Sequence, residues 1–440
     1  MKFFYFIIIF IFLNNCSFDN KTGIWKNENL KDDKLNNTFK DFQNLSPDKN
    51  RFSEQIPITQ NFEFLITESK EIYSWQDIFF NLENNSENFN YSNLNNLIYK
   101  GKKVSRKTIS DRILFENNNV IISDIRGNLI INSISEKKIK KFNFYKKKYK
   151  NLDIKINFSI ENDVIYVADN LGYLYAYNHD LDKILWAKNY KIPFRSNIKI
   201  IDELLIAANQ NNNLYLFDKK NGDIIRSIPT EETILKNEFT NNISANIENI
   251  FFLNTFGSLY SINKNSRKLN WFINLNQTLD FTPSNLFRSS PIISNNNKLI
   301  ISSNTNTFVI DSNSGTIIYK YDFGSNIKPL IINDYLFLVT IKDFLISLDL
   351  NSGKIIYSYE LNKKTSDFLK SKKKKIYPKN IAMLSDNIFL FLENSFALKF
   401  DIYGNLNKII KFSNKFETYP IFIDKNIIYV NKKNKVVIIN

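Results

Sequence analysis

The stretch from Glu161 to Trp186, ENDVIYVADNLGYLYAYNHDLDKILW, decides the fold. An apolar run, Ile165 to Ala168, reaches a polar residue and turns. A second run, Leu174 to Tyr177, ends at Asn178, turns again and closes on the bulky Trp186. The same hairpin unit returns in degenerate form about eight times along the 440 residues.

The residue that ends the second apolar run fixes the register. It is Ser133, Asn178, Asp218, Asn263, Asp311, Asp349, Asp401 and Asn440, with separations of 45, 40, 45, 48, 38, 52 and 39 residues. A period of about 40 to 50 residues belongs to four-stranded propeller blades rather than to helical or leucine-rich repeats. The runs Leu214 to Phe217, Phe344 to Leu348 and Val436 to Ile439 are rich in β-branched and aromatic residues and carry no 3.6-residue stripe, so they read as strands.

Turn chemistry supports the same register. Asn221-Gly222, Ser314-Gly315, Ser352-Gly353 and Tyr403-Gly404 follow the anchor, where a tight turn requires positive φ. Gly127, Gly172 and Gly257 occupy the other turn, six residues before it, and Asn212 takes that place in the third copy. Seven of only ten glycines therefore sit on two recurring turns. Ile184 to Ala187, Ile224 to Ile228, Ile317 to Tyr321 and Ile355 to Tyr359 supply a further strand, and Pro291 to Ser294 and Lys328 to Ile332 another.

One such sheet cannot bury both its faces, so blades must stack and the array must close. The chain stops on the eighth anchor, leaving that blade one strand short. Leu94 to Lys100 and Val104 to Ile109 offer spare strand material ahead of the first blade, near Leu114, and an N-terminal strand completing the last blade removes an exposed edge. The expected fold is all-β, an eight-bladed propeller of four-stranded blades over 72–440, with seven blades as the alternative. A content of 43% hydrophobic and 15% aromatic residues is enough to fill the blade cores.

The amino terminus points to export. Met1-Lys2 is a short positive start, and the apolar run Phe3 to Leu13 is too short to span a bilayer but suits a signal sequence. Cys16, the only cysteine, follows at once. Leu13-Asn14-Asn15-Cys16 resembles the lipobox of bacterial lipoproteins, departing from it at Asn15, where Gly, Ala or Ser is usual. Residues 1–15 are read as a lipoprotein signal peptide and 16–71 as the lipidated Cys16 followed by a flexible polar tether.

A single Cys and a single His leave little for chemistry. No intrachain disulfide or Cys-based metal centre can form, and His179, in the turn after Asn178, reads as a solvated surface residue. No Ser-His-Asp triad and no glycine-rich phosphate loop is present. The expectation is a non-enzymatic protein with no cofactor and no metal site. The net charge of +15 accompanies an abundance of Lys, Asn and Ile, and the dense runs Lys146 to Lys150 and Lys370 to Lys375 fall between strands as solvated loops. An exported protein does not meet nucleic acid. An anionic membrane surface or an acidic protein patch remains a partner for this charge.

The segments Gly172 to Trp186 and Gly257 to Trp271 resemble the pyrroloquinoline-quinone-type propeller repeat, G-x-L-Y-A-L-D-x-x-T-G-x-x-x-W. Asp311 to Tyr319 and Asp349 to Tyr357 match its second half with Tyr for Trp, and the third copy carries Arg226 there. With the lipobox, the tether and the lead-in Ser74-Trp75-Gln76, the whole chain resembles the BamB family of lipoproteins. That resemblance implies a scaffold on the periplasmic face of the outer membrane. It would dock on the barrel insertase of the β-barrel assembly machinery and assist unfolded outer-membrane proteins. The same repeat occurs in quinoprotein dehydrogenases, which hold pyrroloquinoline quinone and calcium, and many carry a vicinal disulfide that this chain cannot form. A membrane-anchored propeller binding an envelope polysaccharide is the other reading.

Within such a scaffold the loops carry binding. Phe194-Arg195-Ser196 and Phe287-Arg288-Ser289 share a motif just before a strand that opens a new blade. Arg195 and Arg288 are thus either corners of the architecture or partner contacts. The insertion Lys363 to Lys379 is either a recognition loop or tolerated length.

Overall fold

A computed structural model describes residues 16–18, 25–27, 52–233, 242–276, 286–295, 297–372, 375–412 and 414–440. The signal-peptide assignment over 1–15 and most of the tether lie outside the described residues. In the N-terminal unit, 1–50, Cys16–Phe18 pairs antiparallel with Trp25–Asn27, Cys16 opposite Asn27.

Residues 51–440 form an eight-bladed β-propeller. Blades one to seven each have four antiparallel strands in chain order, the first beginning at Ile109–Glu116 and the seventh ending at Leu406–Lys411, and Asn88–Phe89 joins blade seven as a fifth, parallel strand. Blade eight has Ile421–Ile423, Asn426–Val430 and Lys435–Ile439, and Leu97–Lys103 is its outer strand. The expected closure is therefore made by residues within and just beyond Leu94 to Lys100.

The anchors fall where the register placed them, at the end of each blade's third strand or one residue past it. The second strand of each blade is buried almost throughout. Leu204–Ala208 and Asn249–Leu253 are buried along their whole length, because neighbouring blades cover both faces of a sheet. Polarity returns in the outer strands, such as Lys183–Asn189, which are largely exposed.

The polar residue ending each second strand organises the turn after it. Asp169 Oδ1 accepts from the amides of Leu171 and Tyr173, both at 2.8 Å. Asp124, Asn209, Asn254 and Asn431 make the same pair of contacts in blades one, three, four and eight.

The Trp and Gly of the repeat form one device that joins successive blades. In six blades the pairing of the third and fourth strands shifts by one residue just before the anchor, a bulge that re-aims the aromatic side chain. Trp186 of blade two then lies over Gly222 of blade three and donates from Nε1 to Lys219 O at 3.1 Å. Trp271 repeats this on Gly315, with Ser312 O at 3.1 Å, and Tyr319 covers Gly353 and donates to Asn351 O. Where the aromatic is missing the glycine is missing too. Blade three carries Arg226 and the next blade Arg267 at the glycine position; blade one has Lys141 and the next blade Asp182.

Gly222 combines φ of 76° with no room for a side chain, since a Cβ would stand 2.5 Å from Trp186 Cζ3. Gly222→Ala should cost more than the ~1–2 kcal/mol of a left-handed alanine. In a Trp186→Ala background the steric part should vanish. Denaturant unfolding of the two single variants and the double variant should give a coupling energy of about 0.5–3 kcal/mol, and simple additivity would show that the ring does not select the glycine.

Candidate functional site

A propeller encloses an axial channel, and here the chain fills its own. Residues 72–92 wind around the inner rim and meet the first strand, or the turn or lead-in flanking it, of each blade in order. Trp75 exchanges amide hydrogen bonds with Phe115 of blade one, and Gln76 O accepts from Ile160 N of blade two. Asp77 and Asn84 take the Lys199 ammonium of blade three. Leu82 O accepts from Ala245 N of blade four and Glu83 O from Ser294 N of blade five, each at 2.9 Å. Asn85 Nδ2 donates to Ile331 O of blade six, and Ile331 N donates to Asn85 Oδ1. Asn88–Phe89 adds to blade seven as a parallel strand beside Met383 and Leu384, and Ile72 O accepts from Asp424 N of blade eight.

The sequence marked Trp75 only as part of a lead-in. Its indole is 6% exposed, packed on Phe80 at 4.7 Å and Phe89 at 5.5 Å. The Asn-rich stretch beyond it is polar because the side chains of Asn84, Asn85 and Asn88 bond to blades three to seven, a purpose no periodicity announces.

The channel is basic. Lys199 is fully buried, and its three N–H bonds reach Asp77 Oδ2 at 2.8 Å, Asn81 O at 2.7 Å and Asn84 Oδ1 at 2.6 Å. Burial still holds its pKa below the ordinary lysine value, against the pull of Asp77. Lys328 donates to Asn84 O and Ser86 Oγ, and burial, with the nearby Arg112 and Lys199 charges, pushes its pKa down to about 7. The Arg112 guanidinium lies 3.6 Å from the centre of the Tyr419 ring. The void among Trp75, Phe79, Arg112, Lys328 and Tyr419 measures about 20 Å³, room for roughly one water. A tricyclic quinone does not fit it, and the Lys199 and Lys328 ammonium groups are already engaged by residues 72–92.

The sequence-predicted site residues lie elsewhere. Strand alternation puts the second-to-third-strand turns and the connections between blades on one face, and residues 72–92 at the other. Arg195 and Arg288 are in the connections entering blades three and five, two blades apart. Arg195 is half-buried; its amide donates to Ala208 O, and Ser196 Oγ accepts from Ala208 N at 2.7 Å, so the Phe-Arg-Ser corner does hold architecture. Arg288 is exposed and lines a cleft of about 330 Å³ with Phe287 and Phe308. On the same face, Lys146, Lys147 and Lys150 join Lys107 and Arg126 around a cleft of about 400 Å³. The lysine run thus forms one wall of a basic depression, which its position in a loop did not reveal. The insertion after blade six carries a short helix, Leu361–Leu369.

His179 corrects its sequence reading. It sits in the expected turn but is only 7% exposed, covered where blades one and two meet. Nothing in a lone turn histidine foretold this, because the cover comes from another repeat.

Comparison with known proteins fits this ring. The family model described as outer membrane protein assembly factor BamB matches residues 109–359, more than half of the chain. The chain belongs to that family. Comparison with curated proteins finds no match by sequence. Among solved structures, this BamB-family chain is similar to BamB from Moraxella catarrhalis at 10% identity and a TM-score of 0.61, covering 79% of this chain and 100% of that one. It is also similar to the quinohemoprotein alcohol dehydrogenase from Comamonas testosteroni at 9% identity and a TM-score of 0.60, covering 84% and 81%. A computationally designed protein, Ika8, matches at 9% identity and a TM-score of 0.58, covering 78% and 99%. At such identities the structural likenesses establish the propeller alone.

Two measurements test the channel. Lys199→Ala leaves Asp77 buried without its partner and should cost about 3–5 kcal/mol in equilibrium unfolding. For Lys328, native and unfolded chains are both protonated below pH 7, and between about pH 7 and 10.5 the unfolded chain binds the extra proton. Its contribution to stability therefore rises with pH across that window. Lys328→Met should flatten that part of the stability–pH profile, and an unchanged slope would place the titration elsewhere.

Proposed function

We propose that this protein is a non-enzymatic scaffold of the outer-membrane β-barrel assembly machinery, anchored through a lipid on Cys16 at the periplasmic face. It docks on the barrel insertase and assists folding and insertion of outer-membrane proteins. The observation that carries this reading is the match of residues 109–359 to the BamB family model. The filled channel supports the non-enzymatic part, since a ring that occupies its own axis with residues 72–92 offers its faces and edges rather than an enclosed pocket.

The edges suit extended clients. Outer strands such as Ile224–Ile228 and Leu269–Asn274 present exposed apolar side chains, including Ile224, Ile225 and Phe272, beside backbone groups that end the ladder. Blade six shows that such an edge accepts another strand. Ile56 and Ser358 exchange amide hydrogen bonds, both at 2.9 Å, on the outer strand Ile355–Glu360. Phe62 and Phe64 continue the contact onto Tyr335, within the stretch read as tether. An unfolded barrel precursor brings many unpaired strands of this kind, and strand addition gives sequence-tolerant recognition.

Arg195, Arg288 and the lysine-lined cleft share the opposite face from residues 72–92 and form the docking side. Charges there speed association and set orientation more than they add affinity.

Affinity capture of a tagged full-length chain from detergent-solubilised outer membranes should recover the barrel insertase. Arg195→Glu combined with Arg288→Glu should reduce recovery about tenfold with unfolding unchanged. Recovery of glycan alone would favour the polysaccharide reading, and calcium-dependent dye reduction after adding the quinone would overturn the non-enzymatic one. Cys16→Ala should move the protein from the membrane to the soluble fraction.

A further inference from the structure

Glu116, Asp163 and His179 come from three separate turns and converge on one point. Glu116 ends the first strand of blade one and is 5% exposed. Asp163 lies in the tight turn Asn162-Asp163 of blade two, both residues at positive φ, and His179 follows that blade's third strand. One ligand atom from each residue lies within 4.8 Å of the other two. His179 Nε2 stands 3.4 Å from Asp163 Oδ1.

The histidine distinguishes this cluster from an ordinary group of acids. Its side chain is 7% exposed, and Nε2 is buried without a hydrogen bond, 3.4 Å from Asp163 Oδ1. A buried imidazole nitrogen left unbonded in a native structure calls for an explanation. A metal ion supplies one. Two ligands of a tetrahedral zinc ion, each about 2.0–2.2 Å from it, stand about 3.4 Å apart.

We propose that Glu116, Asp163 and His179 form a zinc site that clamps blade one to blade two. Nε2 of the neutral imidazole and one oxygen from each carboxylate are the protein ligands, a mixed nitrogen and oxygen set that suits zinc and neighbouring first-row divalent ions. The fourth position faces a cleft of about 500 Å³ lined by Asp163 and His179 with Asn119, Ser133 and Lys138, which gives the ion a path in and a place for water.

The surroundings hold the ligands in place. Gln76 Nε2 donates to Glu116 Oε1 at 2.6 Å, and Asn117 Nδ2 donates to Asp163 Oδ1 at 3.0 Å. Asp163 N donates to Glu116 Oε2 at 3.1 Å, and Lys140 Nζ donates to His179 O at 2.8 Å. Such contacts orient metal ligands and tune affinity. Through Gln76 the ion is also tied to the segment that fills the channel. The Lys140 charge opposes cation binding, so this site is weaker than a thiolate centre.

The test uses the full chain in detergent, stripped with a chelator and titrated with zinc chloride against a chromogenic competitor. One saturable zinc per chain is expected, and the metal should raise the melting temperature. His179→Ala and Asp163→Asn should each weaken binding at least tenfold and abolish the thermal shift. Their metal-free melting curves report whether either change has merely damaged the fold; His179→Gln keeps most of the side-chain volume and serves as the second variant. Cobalt substitution should give tetrahedral d–d bands without thiolate charge transfer, which separates this site from Cys16. Absence of saturable binding, or binding as strong as in the unaltered chain in both His179 variants, would falsify the assignment and leave His179 as a partner of Asp163 alone.

Discussion

The ring depends on the hydrogen bonds that residues 72–92 make to its inner strands. Eight wedge-shaped sheets converge on an axis where four of the inner strands, Lys199–Ile201, Ile293–Asn295, Leu330–Ile332 and Ile421–Ile423, have only three residues each. Left to itself such a rim would present unpaired amides to a narrow channel. The winding segment pairs them one blade at a time, and Lys199 completes the arrangement by placing all three of its N–H bonds on that segment. Packing between blades then adds to an inner boundary that is already satisfied.

Strong local periodicity made most of this legible. The anchors from Ser133 to Asn440 and the glycines at two turns are fixed by backbone geometry repeated in every copy, so the eight sheets and the closing strand could be read in advance. The inter-blade role of the Trp was not legible, although its residues were in view. Trp186 and Gly222 belong to different repeats, and a motif read within one repeat cannot show that they touch. The burial of both faces of the middle strands was not legible either, because a sequence gives no sign that neighbouring sheets will cover them.

The polar features were least legible. Asn84 and Asn85 look like loop residues, yet Asn84 donates to Ile243 O and Ile292 O across two blades. Lys146 to Lys150 is exposed as a solvated run should be, and its part in lining a cleft was not foreseen. His179 looked exposed and is buried. In each case the deciding neighbours are remote in sequence, brought together by closure of the ring rather than by any local preference. Arg195 illustrates the mixed outcome: its corner is plainly architectural, held by its own amide and by Ser196 Oγ on Ala208.

The closing strand Leu97–Lys103 has a consequence for the order in which the molecule can form. Its partner, Lys435–Ile439, follows every other described strand of the ring, and Asn440 and Asn96 exchange backbone amide hydrogen bonds beside the pair. A nascent chain therefore carries the closing strand from early on with nothing to pair it to, while seven blades assemble one after another. Closure brings together segments separated by nearly the whole domain, the kind of long-range contact that makes folding slow. Until that moment the polypeptide is an open arc with two unpaired ends, which is when it most needs protection from other exposed strands.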